Sequence, residues 1–79
     1  MSWKHLPPEL QHTASEILTP RQLEAWKLEL AGYGIRPTAL ALGIRPTSVR
    51  DRLDAAHLAL SKHGVVQAKD GTWTTTEAA

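Results

Sequence analysis

Cysteine and phenylalanine are both missing from this 79-residue chain, and its other aromatic residues are three tryptophans and one tyrosine. The lack of cysteine excludes a disulfide framework, a thiolate zinc site and a thiol nucleophile, and it suits a reducing compartment. No apolar run approaches the roughly 18 residues of a membrane-spanning helix, and the first eight residues contain no signal-peptide stretch. We therefore expect a native start, a cytoplasmic location and no membrane partner.

Acidic residues are missing from the middle of the chain. The net charge is only +1, from nine Lys and Arg against eight Asp and Glu. No acidic residue occurs between Glu29 and Asp51, whereas Arg36, Arg45 and Arg50 lie inside that interval. One segment is therefore purely basic although the whole chain is nearly neutral.

The composition favours helices. Hydrophobic residues make up 42% of the chain, led by leucine and alanine with few β-branched residues. The length gives room for a single small domain. We expect a mainly α fold, a small helical bundle that includes a helix-turn-helix and ends in a β-hairpin.

Two helices are predicted in the first part of the chain. Apolar residues at helical spacing predict a first helix from Pro8 to Ile17. A second helix should run from Pro20 to about Ala31, because Thr19 and Gln22 fit a capping box and proline is tolerated in a first turn. Gly32 should end this second helix.

An internal repeat follows, in which the sequence of residues 34–38 recurs at residues 43–47 as Gly-Ile-Arg-Pro-Thr. Each copy predicts the same local structure, with glycine ending one helix and proline taking the first position of the next. The copies thus predict a short helix from Pro37 to Leu42 and a long one from Pro46 to His63. A short helix, a glycine turn and a long helix are typical of a helix-turn-helix. The long helix has an apolar stripe of Val49, Leu53, Ala56 and Leu60.

The end of the chain predicts a β-hairpin. Residues 65–68 and 72–76 contain β-forming side chains on either side of an Asp-Gly turn, with Lys69 at the tip. Residues 77–79 are expected to fray. The predicted domain covers residues 1–79, with an N-terminal helix and arm at 1–18, a helix-turn-helix core at 19–64 and the hairpin at 65–76.

Two stretches of the sequence resemble known DNA-binding domains. Residues 18–22 read Leu-Thr-Pro-Arg-Gln, and Leu42-Gly43-Ile44 precedes a helix with Val49 and Leu53. This pattern resembles region four of bacterial sigma factors and the DNA-binding domain of LuxR-type response regulators. The resemblance implies that Ala39 packs where the two helices cross, and that Val49 and Leu53 form the buried side of the recognition helix.

The chain departs from these families at three places. Thr38 stands where they usually have Ile or Val, and Pro37 stands where a polar helix former is common. The hairpin after the long helix resembles instead the wing of winged-helix regulators such as the MarR type. The resemblance therefore implies the helix-turn-helix architecture and leaves the subfamily open.

The basic segment suits DNA. The N-terminus of the long helix presents free N–H groups and a positive dipole end to a phosphate. Arginine can bind guanine, and Ser and Thr hydroxyls can bind bases or phosphates. Thr47, Asp51 and Asp54 should project outward, and a lysine at the hairpin tip can lie on the backbone or in the minor groove. The expected DNA-binding residues are Arg36, Arg45, Thr47, Ser48, Arg50, Asp51, Arg52 and Lys69.

The same residues have a plainer interpretation. Arginines along a helix usually form a solvated face, and outward carboxylates repel phosphates. Asp51 either accepts a hydrogen bond from a cytosine amino group or pairs with Arg50 or another neighbour. Both alternatives remain open at the level of sequence.

No enzyme, metal or cofactor chemistry is predicted. The chain has no glycine-rich phosphate loop, nucleophile context or paired carboxylates in a cleft. Its four histidines lack the spacing of metal ligands. Isolated histidines of this kind are usually exposed or hydrogen-bonded to residues nearby in the sequence. The tryptophans are interpreted as packing residues, Trp26 and Trp73 in the core and Trp3 as a terminal anchor.

The sequence therefore favours two candidate functions. The first is a sequence-specific protein for double-stranded DNA, a small transcriptional regulator or recombination accessory factor of bacterial or phage type, associated with the nucleoid. A single module makes few contacts, so we expect a homodimer or a larger protein partner. The alternative is an adaptor that uses a sigma-like fold to bind RNA polymerase or another regulator. The candidate dimer surfaces are Pro8 to Ile17, His57 to Lys62 and the Trp73 hairpin.

Overall fold

The computed structural model describes residues 2–75, and in this part of the chain four α-helices precede a two-stranded hairpin. A 3-10 turn at Trp3–His5 comes first. The mainly α fold with a helix-turn-helix and a C-terminal hairpin is thereby confirmed. The predicted last strand residue, Thr76, and residues 77–79 lie outside the described part. The elements are α1 (Pro8–Ile17), α2 (Pro20–Leu30), α3 (Ile35–Leu42), α4 (Pro46–Lys62), β1 (Val65–Gln67) and β2 (Trp73–Thr75).

The ends of α2 follow the sequence signals. The Gln22 N–H donates to the Thr19 hydroxyl at 3.2 Å, and the Gln22 side chain accepts from the Thr19 N–H at 3.1 Å. At the other end Gly32 has a φ of 96°. The N–H groups of Gly32 and Tyr33 donate to the carbonyls of Glu29 and Leu28, which is the Schellman arrangement. The capping box and the glycine stop are both confirmed.

The start of α3 differs from the prediction. The helix begins at Ile35, with Gly34 as its N-cap, so Pro37 is the third helical residue and not the first. The first helical hydrogen bond runs from the Thr38 N–H to the Gly34 carbonyl at 3.0 Å. The helix therefore loses no hydrogen bond at Pro37, because a backbone N–H at this position would have no helical partner. The two copies of the repeat thus adopt different structures.

The second copy behaves as predicted. Gly43 takes the left-handed conformation with φ 67°, Arg45 is the N-cap of α4, and Pro46 is its first residue. The helix ends at Lys62, one residue before the predicted end. The predicted apolar stripe of α4 is buried along its whole length.

The core has two parts. The larger cluster joins α1, α2, α4 and the hairpin around the fully buried Trp26. The rings of Trp3 and Trp73 meet the Trp26 ring edge-on, with centroids 6.1 and 5.4 Å away. The smaller cluster holds α3 against α2 and α4, and its buried members are Ala25, Ala39, Val49 and Leu53. The packing roles predicted for the tryptophans, Ala39, Val49 and Leu53 are confirmed.

The hairpin is antiparallel, with Val65 opposite Thr75 and Gln67 opposite Trp73. Its turn is held by Asp70, whose carboxylate accepts from the Thr72 N–H at 3.0 Å and from the Thr72 hydroxyl at 2.6 Å. The hydroxyl bond lowers the pKa of Asp70, and the N–H bond lowers it further. Buried Val65 and Trp73 attach the hairpin to the larger cluster. None of the helices in residues 2–75 is long and apolar enough to cross a membrane.

Candidate nucleic-acid interface

The N-terminal turn of α4 is open to solvent. The first helical hydrogen bond runs from the Val49 N–H to the Arg45 carbonyl at 3.2 Å. The N–H groups of Thr47 and Ser48 come before it and have no helical partner. No side chain caps this end, and no acidic residue lies in the first turn. The positive end of the helix dipole is therefore uncompensated by any side chain of the described residues.

A recess of about 270 Å³ lies beside this turn. Ile35, at the start of α3, and Pro46 supply its apolar wall, while Thr47, Arg50 and Asp51 supply polar groups. Thr47, Arg50 and Asp51, three predicted site residues, share this part of α4 through their helical spacing, and the packing of α3 on α4 adds Ile35 beside them. The recess presents a cationic donor, a hydroxyl and an acceptor-only carboxylate next to apolar surface.

A second depression, of about 370 Å³, adjoins the first through the shared residue Pro46. Arg36 lies at its edge, with Leu40 and Ile44 among the other lining residues. Leu40 is 84% exposed, so this depression has an apolar side chain open to solvent at its rim. Arg36 and Arg45 are both exposed, so the N-termini of α3 and α4 each have a solvent-facing arginine.

Other predicted site residues lie apart from the recess. Arg52 and Ser48 are half-buried, and their positions in the helix place them on the other side of α4 from Arg50. Lys69 is exposed in the turn of the hairpin, which packs on the C-terminal half of α4 through Val65. The eight predicted residues therefore do not form one continuous patch. Thr47, Arg50 and Asp51 line the recess, whereas Ser48, Arg52 and Lys69 lie to its sides.

The arginines of this surface have no ion-pair partner within residues 2–75. The salt bridges of this part of the chain are His12–Glu16 at 2.9 Å and His57–Glu29 at 2.6 Å. Asp51 and Arg50 consequently do not pair with each other, although both line the recess. An ion pair of Asp51 with a neighbour, one of the two alternatives from the sequence, is not present in the described residues.

His57 corrects one expectation. Its Nε2 atom contacts the Glu29 carboxylate of α2, 28 residues away, so this histidine is not satisfied locally. Its ring also lies 5.4 Å from the Trp73 ring. The hydrogen bond with Glu29 raises the pKa of His57, partial burial opposes that rise, and the negative charges of Glu29 and Asp54 add to it. His5 and His12 do have local partners, Ser2 and Glu16.

Sequence reasoning missed Ile35, Leu40 and a groove of about 560 Å³ between α2 and α3. Helical spacing within α3 contained a signal for Leu40, because the buried Thr38 and Ala39 share one face with the partly buried Ile35 and Leu42, which leaves Leu40 outside. No group of three or more His, Cys, Asp or Glu residues in the described chain could hold a metal ion.

Comparison with known proteins gives no assignment. No protein-family model, curated protein or solved structure matches the chain. The resemblance to sigma-factor and LuxR-type domains therefore stays a prediction.

Proposed function

We propose that this chain is a sequence-specific DNA-binding protein that reads the major groove with the N-terminal half of α4. The observation behind the proposal is the exposed surface around the recess, where Arg36, Arg45 and Arg50 have no ion-pair partner in residues 2–75. An α-helix fits the major groove, and the residues near its N-terminus reach the base edges.

Each group on this surface has a task in DNA binding. The free N–H groups of Thr47 and Ser48 suit a backbone phosphate. Arg36, at the start of α3, suits a neighbouring phosphate, while Thr47 and Arg50 in the recess suit base edges. Phosphate contacts give affinity and fix the position of the helix, and base contacts give specificity.

A small regulator or recombination accessory factor of bacterial or phage origin, associated with the nucleoid, fits this chemistry. A domain of this size makes too few contacts for high specificity on its own. We infer that it binds as a homodimer or beside a larger protein, with half-sites about one helical turn apart. Arg52 and Lys69 then add backbone contacts at the sides.

The test is fluorescence anisotropy with mixed-sequence duplex DNA at increasing salt. The logarithm of the binding constant should fall linearly with the logarithm of salt concentration, by about 0.9 for each phosphate contacted. Arg50→Glu with Arg52→Glu should abolish binding and leave the helical content unchanged. Lys4→Glu with Arg21→Glu makes the same change in net charge at exposed positions outside the recess lining and outside the candidate dimer surfaces and should bind far better. Equal binding by the two double variants would contradict the proposal.

The exposed face of α3 favours a second candidate, an adaptor that docks on RNA polymerase or another regulator. Pro37, Leu40 and Ala41 are exposed there, between the grooves of about 560 and 370 Å³. Exposed apolar surface of this kind is typical of protein contacts. Absence of DNA binding at low salt, with a partner captured by the parent and lost in Leu40→Gln, would favour the adaptor.

A further inference from the structure

We infer that Asp51 makes DNA binding depend on a C·G base pair in the target site. The Asp51 carboxylate would accept a hydrogen bond from the cytosine amino group of that pair. The inference rests on the proposed function and names a feature of its target. Asp51 is exposed on α4, lies in the recess beside Thr47 and Arg50, and has no ion-pair or hydrogen-bonding partner for its side chain in residues 2–75.

A carboxylate is a poor group for general DNA affinity. It is an acceptor only, so it repels phosphates and the acceptor atoms of guanine and thymine. The donors in the major groove are the amino groups of cytosine N4 and adenine N6. Any base contact of Asp51 must therefore be to one of these two groups.

Cytosine is the better partner for geometric reasons. In an A·T pair the adenine amino group lies between two acceptors, adenine N7 and thymine O4. In a C·G pair the cytosine amino group has guanine O6 on one side and a carbon-bound hydrogen on the other. A carboxylate that approaches from the carbon side meets no acceptor.

Arg50 completes the match. Guanine presents O6 and N7 acceptors beside the cytosine amino group, and arginine is the usual partner for that pair of acceptors. Arg50 and Asp51 line one recess without pairing with each other. The recess thus offers a donor and an acceptor side by side, in the complementary arrangement to a C·G edge. A phosphate site would have donors alone.

Asp51 makes binding selective because its carboxylate weakens binding to DNA of other sequences. Where the base that faces Asp51 is guanine or thymine, the carboxylate loses water and faces acceptors, which weakens binding. Discrimination of this kind comes from a penalty against other sequences as well as from a contact with the correct one. Asp54, the next outward carboxylate, is also exposed and unpaired but lies outside the recess lining, so it supplies a matched control.

The experiment selects duplexes from a random pool with the full chain and measures the affinity of the parent and three variants for them. The parent should select a motif with a C·G pair, preferred about tenfold over the other pairs at that position. Asp51→Ala should lose this preference and bind mixed-sequence DNA more tightly. Asp51→Asn should move the preference to A·T, because an amide binds adenine N6 and N7 together. Asp54→Ala should bind more tightly with the C·G preference intact.

Two failures are distinguishable. If the parent binds DNA with the expected salt dependence but Asp51→Ala keeps the same base preference, the inference is wrong and the proposed function stands. If the parent shows no salt-dependent binding to DNA, the proposed function and the inference about Asp51 are both wrong. Circular dichroism of each variant checks the fold, which an exposed aspartate should not affect.

Discussion

The Thr38 hydroxyl is buried and makes no hydrogen bond in the described structure. A buried polar group without a partner costs free energy, because water that it would bind when unfolded is not replaced. Thr38→Val keeps the side-chain shape and removes the hydroxyl. We expect it to raise the free energy of unfolding by about 1 kcal/mol, measured by urea denaturation.

Thr13 in α1 is a control for this change. Its side chain is only half-buried, so its hydroxyl can reach water and Thr13→Val should change the stability by no more than about 0.5 kcal/mol. A destabilising effect of Thr38→Val would show that the hydroxyl has a partner when the protein is in solution. The sigma and LuxR resemblance implies Ile or Val at position 38, in agreement with the expected direction.

His57 makes stability depend on pH. Because its hydrogen bond with Glu29 raises the folded-state pKa above 6.5, the contribution is complete below pH 6.5 and is lost as pH rises through the folded-state pKa. The pair is partly exposed, so the contribution should be roughly 0.2–1 kcal/mol. The free energy of unfolding should therefore decline above neutral pH.

Glu29→Gln isolates this pair from the other histidines. Measured from about pH 5 to about pH 9, the difference in stability between the parent and Glu29→Gln should be largest at the acidic end and shrink as the pH rises through the folded-state pKa of His57. Contributions that do not involve Glu29 are common to both proteins and cancel in the difference. A difference that stays constant over that range would contradict the assignment.

At the scale of elements, identical local sequences form different structures. Gly34 is an extended N-cap with φ −77°, whereas Gly43 is left-handed with φ 67°. The first copy follows a helix that Gly32 has already ended, so Gly34 is free to act as a cap. Local signals predicted α2, α4 and the hairpin because capping residues and apolar periodicity act within a few residues. They missed the start of α3 because the role of a glycine depends on the element before it.

The two glycines give a matched pair of substitutions. Gly43→Ala places a side chain in the left-handed region and should destabilise the protein by about 1 kcal/mol. Gly34→Ala should change stability by less than about 0.5 kcal/mol, because the loss of a favourable N-cap residue is offset by the smaller conformational freedom of the unfolded chain. The added carbon would meet the Pro37 ring at an ordinary 3.7 Å. Thermal denaturation compares them, and equal effects would show that the conformation of Gly43 is not a constraint.

At the scale of the whole molecule, the site lies over the weaker part of the core. The sequence predicted that Thr47, Arg50 and Asp51 belong to the site, because the apolar stripe of α4 determines which of its residues face solvent. The contribution of Ile35 did not follow, because it depends on how α3 packs on α4. The distant pair of His57 and Glu29 depends in the same way on the packing of α2.

The two clusters should differ in local stability. The cluster under α3 has four buried members, of which two are alanines (Ala25, Ala39, Val49 and Leu53), whereas the other cluster has more buried residues and surrounds Trp26 and Leu60. Buried apolar area sets most of the free energy that holds an element in place. We therefore expect α3 to open locally while α2 and the C-terminal half of α4 stay folded.

Amide hydrogen exchange measured by NMR tests this expectation. The amides of Thr38 to Leu42 should have protection factors at least about tenfold lower than those of Ala56 to Leu60, which should open only with global unfolding. Gly43→Ala should lower the protection of α3 more than that of α4, because the strained turn lies next to α3. Equal protection in both helices would mean that the domain opens only as a unit. Faster opening of α3 would instead let Arg36 and the wall of the recess adjust to a bound partner while the rest of the bundle stays folded.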